Sequence, residues 1–153
     1  MTTAKRVALI AHDRMKQAMV DWVKRHRRAL APHAIVATGT TGTLIKQAVE
    51  ELDMTLLRSG PLGGDQQVGA MIAEGQLDIL IFFTDPLSTM PHDVDVKALT
   101  RLSTLYNVPM ACNPATADFV ISSKYFASPY RPETTVADLY MAERFIAGPK
   151  KDA

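Results

Sequence analysis

Short apolar runs alternate along this chain with segments in which apolar residues return every three or four positions. Val7-Ala8-Leu9-Ile10-Ala11 is the first run and predicts a strand. Met15, Ala18, Met19, Trp22 and Val23 then follow at i, i+3, i+4, i+7 and i+8, one face of a helix. The same alternation repeats with strands at Ala34–Ala37 and Met54–Leu57, each followed by a helix, at Thr43–Glu50 and Asp65–Glu74. Gly75 is placed to stop the second of these in a left-handed conformation. Leu77–Phe83 is the most continuous apolar run, which predicts a central strand buried on both faces. Val96, Leu99, Leu102 and Leu105 line a further helix, and Val108–Cys112 reads as a fifth strand. Pro109 has no N–H for a ladder, so that strand belongs at a sheet edge. Helices near Ala115–Ile121 and Val136–Ala147 complete the pattern, with a loop at Ser128–Glu133 between them. Strands alternating with helices predict a three-layer α/β/α sandwich around a parallel sheet, and no internal repeat or boundary divides residues 1–153.

Composition adds exclusions. A chain of 153 residues, 47% hydrophobic and 22% charged, has the make-up of one globular domain. A net charge of +1 argues against nucleic-acid or membrane-surface partners, which call for concentrated Lys and Arg. The one basic cluster, Lys24–Arg28, lies at a predicted helix end, where it complements the helix dipole. Cys112 is the single cysteine, so an intrachain disulfide is excluded, and its apolar neighbours suggest a buried thiol. With no signal-peptide core and no apolar run long enough to span a bilayer, a cytoplasmic protein is expected.

In sheets of this kind ligands bind beyond the carboxyl ends of the strands, so the residues after each strand are the ones to inspect. His12-Asp13 ends the first strand, with Lys16 just beyond. Thr38-Gly39-Thr40-Thr41-Gly42 follows the second, Ser59-Gly60 through Asp65 the third, and Thr84-Asp85-Pro86 and His92-Asp93-Val94-Asp95 the fourth. The opposite ends carry ordinary loop residues, and His26 and His33 there are assigned no role. Thr38–Gly42 reads as a loop before a helix whose free N–H groups and hydroxyls can cradle an anion. Ser59-Gly60 adds a second such turn and Lys16 a positive charge. Asp65, at a helix start, reads either as an N-cap or as a carboxylate base. Asp95 reads as a helix cap or a site residue, and Asp85 before proline as a turn former or a site residue. No histidine or carboxylate pair has the spacing of a metal site, so no metal is expected.

These loops resemble those of the methylglyoxal synthase family. The resemblance rests on Val7–Asp13, Ala37–Gly42, Ser59-Gly-Pro-Leu-Gly-Gly-Asp-Gln-Gln67, Ile81–Pro86, Pro91–Lys97 and Asn113–Asp118, which together span roughly residues 5–122. Tyr140–Arg144 resembles the family's C-terminal arginine segment. The resemblance implies a five-stranded parallel sheet in the order 3-2-1-4-5. It also implies a lyase that converts dihydroxyacetone phosphate to methylglyoxal and inorganic phosphate. In that reading Asp65 is the acid/base, while His12, Lys16, Thr38, Gly39, Thr40, Thr41, Ser59 and Gly60 hold the substrate, chiefly its phosphate. His92 meets the substrate's oxygen end, and Asp95, Asp13 and Asp85 support the site. Arg144 is implied to pair with Asp13 of an adjacent subunit. The family is homohexameric, needs no cofactor and is inhibited by phosphate. A charged carboxylate is favoured at a helix start, which weakens Asp65 as a base; a neighbouring carboxylate such as Asp95, or exclusion of water, would offset this. The rival readings are a non-catalytic phosphate- or effector-sensing domain of the same fold, and an isomerase or lyase acting on another small sugar phosphate.

Overall fold

The structure, a computed structural model, describes residues 4–88, 93–133 and 135–147, the side chains of Asp93 and of residues 145–147 excepted. Its centre is a five-stranded parallel sheet in the order β3-β2-β1-β4-β5. The strands are β1 (Arg6–Ala11), β2 (Ala34–Ala37), β3 (Met54–Leu56), β4 (Ile79–Phe83) and β5 (Met110–Ala111). The helices are α1 (Lys16–Arg25), α2 (Arg27–Leu30), α3 (Gly39–Ala48), α4 (Gly64–Ala73), α5 (Asp93–Leu105), α6 (Pro114–Ser122) and α7 (Val136–Ala147).

Alternation along the central strands sorts the core into two layers. Val7, Leu9 and Ala11 of β1, with Ile79, Ile81 and Phe83 of β4, face Met19 and Trp22 of α1, Ile45 of α3 and Ala117 of α6. Ala8, Ile10, Leu80 and Phe82 face the other way, against Val68 and Ile72 of α4 and Leu99 of α5. Both faces of β1 and β4 are therefore covered, which is why these strands read as continuous apolar runs. The indole N–H of Trp22, buried in the first layer, donates to Asp118 at 2.9 Å and ties α1 to α6.

Three expectations are corrected. Thr38–Gly42 is not a loop: α3 starts at Gly39, with Thr38 as its extended N-cap residue. The basic cluster does not simply end α1, because a separate four-residue helix, α2, follows and buries Leu30. The fifth strand is two residues long rather than five; it lies at the edge as Pro109 required, and the Pro109 carbonyl accepts the Leu80 N–H at 2.9 Å.

The order 3-2-1-4-5 means that the chain leaves β1 in opposite directions on its two sides. Between β1 and β4 the crossovers diverge, leaving a crevice at the carboxyl ends of these two strands.

Candidate active site

A cavity of 510 Å³ occupies that crevice. The end of β1 supplies His12, Asp13, Arg14 and Lys16 to its wall, α3 supplies Thr38, Thr40 and Thr41, and the turn after β3 supplies Ser59 and Gly60. Asp65 of α4 and Asp85 after β4 close it. Ten of the fourteen residues singled out from the sequence thus meet in one place.

His12 is fixed by backbone on two sides. Its N–H donates to the Phe83 carbonyl at 3.1 Å, and its ring Nδ1 accepts the Asp85 N–H at 2.8 Å. A backbone amide can only donate, so Nδ1 is unprotonated and the imidazole hydrogen sits on Nε2. Nε2 is buried and has no hydrogen-bond partner among the described residues, while the ring edge packs on Phe82 with centroids 5.2 Å apart. A buried N–H without an acceptor is costly, and a substrate oxygen would satisfy it.

The anion cradle expected from the sequence falls on the first turn of α3. Thr38 and Thr41 are buried, and the Thr41 hydroxyl reaches the Ala11 carbonyl at 3.5 Å. Amides in the first turn of a helix have no carbonyl one turn back, so the Thr40 and Thr41 N–H groups point outward at the positive end of the dipole. Thr38 makes no side-chain cap, which leaves its hydroxyl outside the helix's own hydrogen bonds. Gly39 stands behind the cradle. Its N–H donates to Arg58 at 3.2 Å, and a Cβ there would come within 3.0 Å of the Ser59 nitrogen, so glycine lets the two turns approach.

Lys16 pairs with Asp13 at 2.7 Å, and the Asp13 side chain is 80% exposed. An ion pair that open to water contributes little, so the ammonium can exchange this partner for a bound phosphate. Arg14 lines the same mouth, its Nε 3.8 Å from the Asp85 carboxylate. Sequence reading passed over Arg14; its position two residues after His12 in the same strand-end segment was the available signal. Asp85 also accepts the Leu87 N–H at 3.0 Å, so it is a turn former and a cavity residue at once.

Asp65 is not the N-cap of α4. Gly63, at φ 103°, holds that position, and Asp65 is the second helical residue, 5% exposed. Gly60 faces its carboxylate, since a Cβ on Gly60 would lie 3.5 Å from Asp65 Oδ1. A buried carboxylate at the wall of this cavity is placed to exchange a proton with a ligand held there.

Asp95 does not line this cavity. It is the third residue of α5 rather than its cap, and it accepts a hydrogen bond from Gln66 at 2.8 Å, beside Asp65 in sequence. Arg144 is exposed on α7, where it donates to the Tyr140 hydroxyl at 3.3 Å, away from the cavity of its own chain. His92 lies outside the described residues. Cys112, half-buried after β5, has its thiol pKa pushed up by burial, which keeps it in the unreactive form.

Comparison with known proteins bears on the family and the fold. The family model described as MGS-like domain matches residues 18–112. A methylglyoxal synthase of Leptospira interrogans is 59% identical over 127 residues, covering 83% of this chain and 85% of that protein. One from Brucella anthropi is 60% identical over 123 residues, 80% of this chain and 98% of its own. The crystal structure of methylglyoxal synthase from Elizabethkingia anophelis NUHP1 superposes with a TM-score of 0.84 at 48% identity, covering 92% of each chain. With the sheet order, the cavity at its switch point and identities of this size over most of its length, the chain belongs to the methylglyoxal synthase family.

Proposed function

We infer that this protein is a carbon–oxygen lyase that converts dihydroxyacetone phosphate to methylglyoxal and inorganic phosphate. The observation that supports this most is the buried Asp65 carboxylate, beside Gly60 in the wall of the cavity that the first turn of α3 also lines. A sensing domain needs the cradle and has no use for the base. Relatives at 48–60% identity bear the corresponding name.

In the reaction, the first turn of α3, Ser59 and Lys16 hold the phosphate. Asp65 removes a proton from the hydroxymethyl carbon, and the electron pair passes to the neighbouring carbonyl oxygen to give an enediolate. The Nε2–H of His12 is one donor for the developing charge, and His92 is assigned the other. A proton then passes from the former hydroxyl oxygen to the former carbonyl oxygen. Re-formation of a C=O bond at the terminal carbon drives the electron pair through the C=C bond and expels phosphate. That step requires the C–O bond to stand perpendicular to the enediolate plane, whereas an isomerase holds it in plane. The phosphate cradle thereby governs the outcome as well as the affinity. The remaining enol takes up a proton at carbon and becomes methylglyoxal.

No step calls on a cofactor. Competition by phosphate follows from its sharing the substrate's cradle. The assignment extends to a cytoplasmic homohexamer in which Arg144 of one subunit meets Asp13 of the next and transmits phosphate occupancy. Exposed Val136, Leu139, Tyr140 and Met141 on α7 favour burial of that helix against another chain. Incubating pure protein with dihydroxyacetone phosphate tests the assignment. Methylglyoxal and phosphate should appear in equal amounts; another sugar phosphate, or no product, would select one of the rivals.

A further inference from the structure

The opposite edge of the sheet holds a second cavity, of 420 Å³, between the start of β1, the start of β4, the turn before β5 and the segment after α6. Six residues of β1 at about 3.3 Å each put it about 20 Å from the cavity described above. Its floor is apolar, with Ile72, Leu77, Val108 and Val120, and aromatic rings form the wall. Tyr125 and Tyr130 stand at the mouth with ring centroids 4.6 Å apart, 48% and 39% exposed. A volume of this size, mostly apolar with a few polar groups, is that of a small-molecule pocket.

One polar group there is under-used. Lys5, among the lining residues, is 7% exposed, and among the described residues its ammonium makes one hydrogen bond, to the Ser128 carbonyl. An ammonium has three donors, and no carboxylate lies within ion-pair distance of this one among the described residues. The nearby acids are otherwise engaged. Asp78 accepts the Arg6 N–H at 2.8 Å, and Asp138 accepts the Thr135 N–H at 3.1 Å in a capping exchange. A buried cation with a single neutral acceptor calls for an anion.

We propose that this cavity binds a small aromatic monocarboxylate, its ring between the tyrosines and the apolar floor and its carboxylate on Lys5. The carboxylates of Asp78 and Asp138 at the rim disfavour multiply charged phosphate esters, so the two edges of the sheet select different anions. The full chain is titrated with 3-phenylpropionate by calorimetry and by backbone amide shifts, with inorganic phosphate saturating the other cavity. Binding with a Kd of about 1 mM or tighter is expected for a ligand of this size. Shift changes should centre on Leu77 and Val108 and spare Thr40 and Thr41. The uncharged 3-phenylpropan-1-ol should bind about tenfold more weakly, the loss of one charge-assisted hydrogen bond. Lys5→Met should bring the acid down to the level of the alcohol and leave the alcohol unchanged. Val108→Trp, which fills the floor, should abolish both and serves if Lys5→Met does not fold. Equal affinity for acid and alcohol, no saturation at about ten times that concentration, or shifts centred on Thr40 and Thr41 would overturn the proposal.

Discussion

Replacing Asp65 by asparagine separates a catalytic carboxylate from a structural one, because the two roles move different observables. The substitution keeps the size of the side chain and one acceptor oxygen, and it removes the charge and the proton affinity. A positioned general base accelerates proton transfer by about 10² to 10⁴, or about 3–5 kcal/mol of transition-state stabilisation at 1.36 kcal/mol per decade. Turnover should fall by that factor. Stability should not follow. Gly63 occupies the N-cap of α4, so no capping bond is lost, and one cost that can be sized is the attraction of the helix dipole for a first-turn carboxylate. That attraction is worth about 1 kcal/mol or less, which corresponds to about 2–4 °C in Tm for a chain of this size. Relief of the burial of a charge that is 5% exposed opposes even that loss. The assay pairs initial rates of methylglyoxal release with calorimetric binding of inorganic phosphate and a thermal melt. The expected variant melts within a few degrees of the parent, binds phosphate as well or better, and turns over at most one hundredth as fast. A variant with near-parental turnover would falsify the assignment of the base, whatever its melting temperature.

Other consequences follow from single contacts. A Cβ on Gly64 would stand 1.9 Å from the Arg58 carbonyl oxygen, a backbone clash that no side-chain rotation relieves, so Gly64→Ala should lower Tm by about 5–15 °C, the equivalent of about 2–4 kcal/mol; an unchanged melt would mean that the turn after β3 does not pass this close. Burial, and then the Lys5 charge, hold the His33 pKa below its ordinary 6.5. The unfolded chain therefore takes up a proton at His33 before the folded one does, and stability falls as pH drops below 6.5. His33→Asn, which keeps an acceptor for the Lys5 N–H, should flatten the fall of Tm between pH 6.5 and 5; identical pH profiles would remove His33 as the cause. Arg144→Ala should lower the Hill coefficient for substrate in the presence of phosphate while leaving phosphate-free turnover comparatively intact, and equal Hill coefficients in saturation curves of both proteins would take Arg144 out of the regulation.

The main elements of the fold were legible because each local pattern has one physical solution. A run such as Leu80–Phe83 is apolar at every position because α1 and α6 cover one side of it and α4 and α5 the other. Where reading failed, tertiary packing had overridden local preference. Thr38-Gly-Thr-Thr-Gly42 has two glycines and three β-branched residues, a poor helix start on propensity, yet α3 runs through it. Gly42 must be small because a Cβ there would meet Leu56 at 2.3 Å and Ala37 at 3.0 Å, so the residue that looks like a breaker is what lets the helix settle on the sheet. For the same reason the site was half visible. Residues at strand ends could be gathered by topology alone, while the tautomer of His12, and the displacement of Asp65 from the cap to the cavity wall, depend on where Asp85 and Gly63 fall in space.

The two edges of the sheet differ in how their chemistry is encoded, and this decides what a sequence can reveal. At the carboxyl edge each strand hands its site residues directly to the next turn, so His12, Thr38–Thr41 and Ser59-Gly60 are short contiguous words. At the other edge the polar group and its surroundings come from distant segments. The ammonium of Lys5 meets the carbonyl of Ser128 across 123 positions, and the imidazole of His33 accepts the Lys5 N–H across 28. Nothing local in Ala4-Lys5-Arg6 distinguishes a lysine 7% exposed from a solvated one ahead of a strand. Burial turns it from a surface charge into a group in need of a counter-ion, and burial is a property of the assembled chain. Had the Lys5 ammonium only to clamp the segment after α6, a neutral donor on the Ser128 carbonyl would serve with a smaller desolvation cost. An ammonium retained there, beside an apolar cavity with two tyrosine rings in contact at its mouth, makes the comparison of 3-phenylpropionate with its alcohol the sharper question to put to this edge of the molecule.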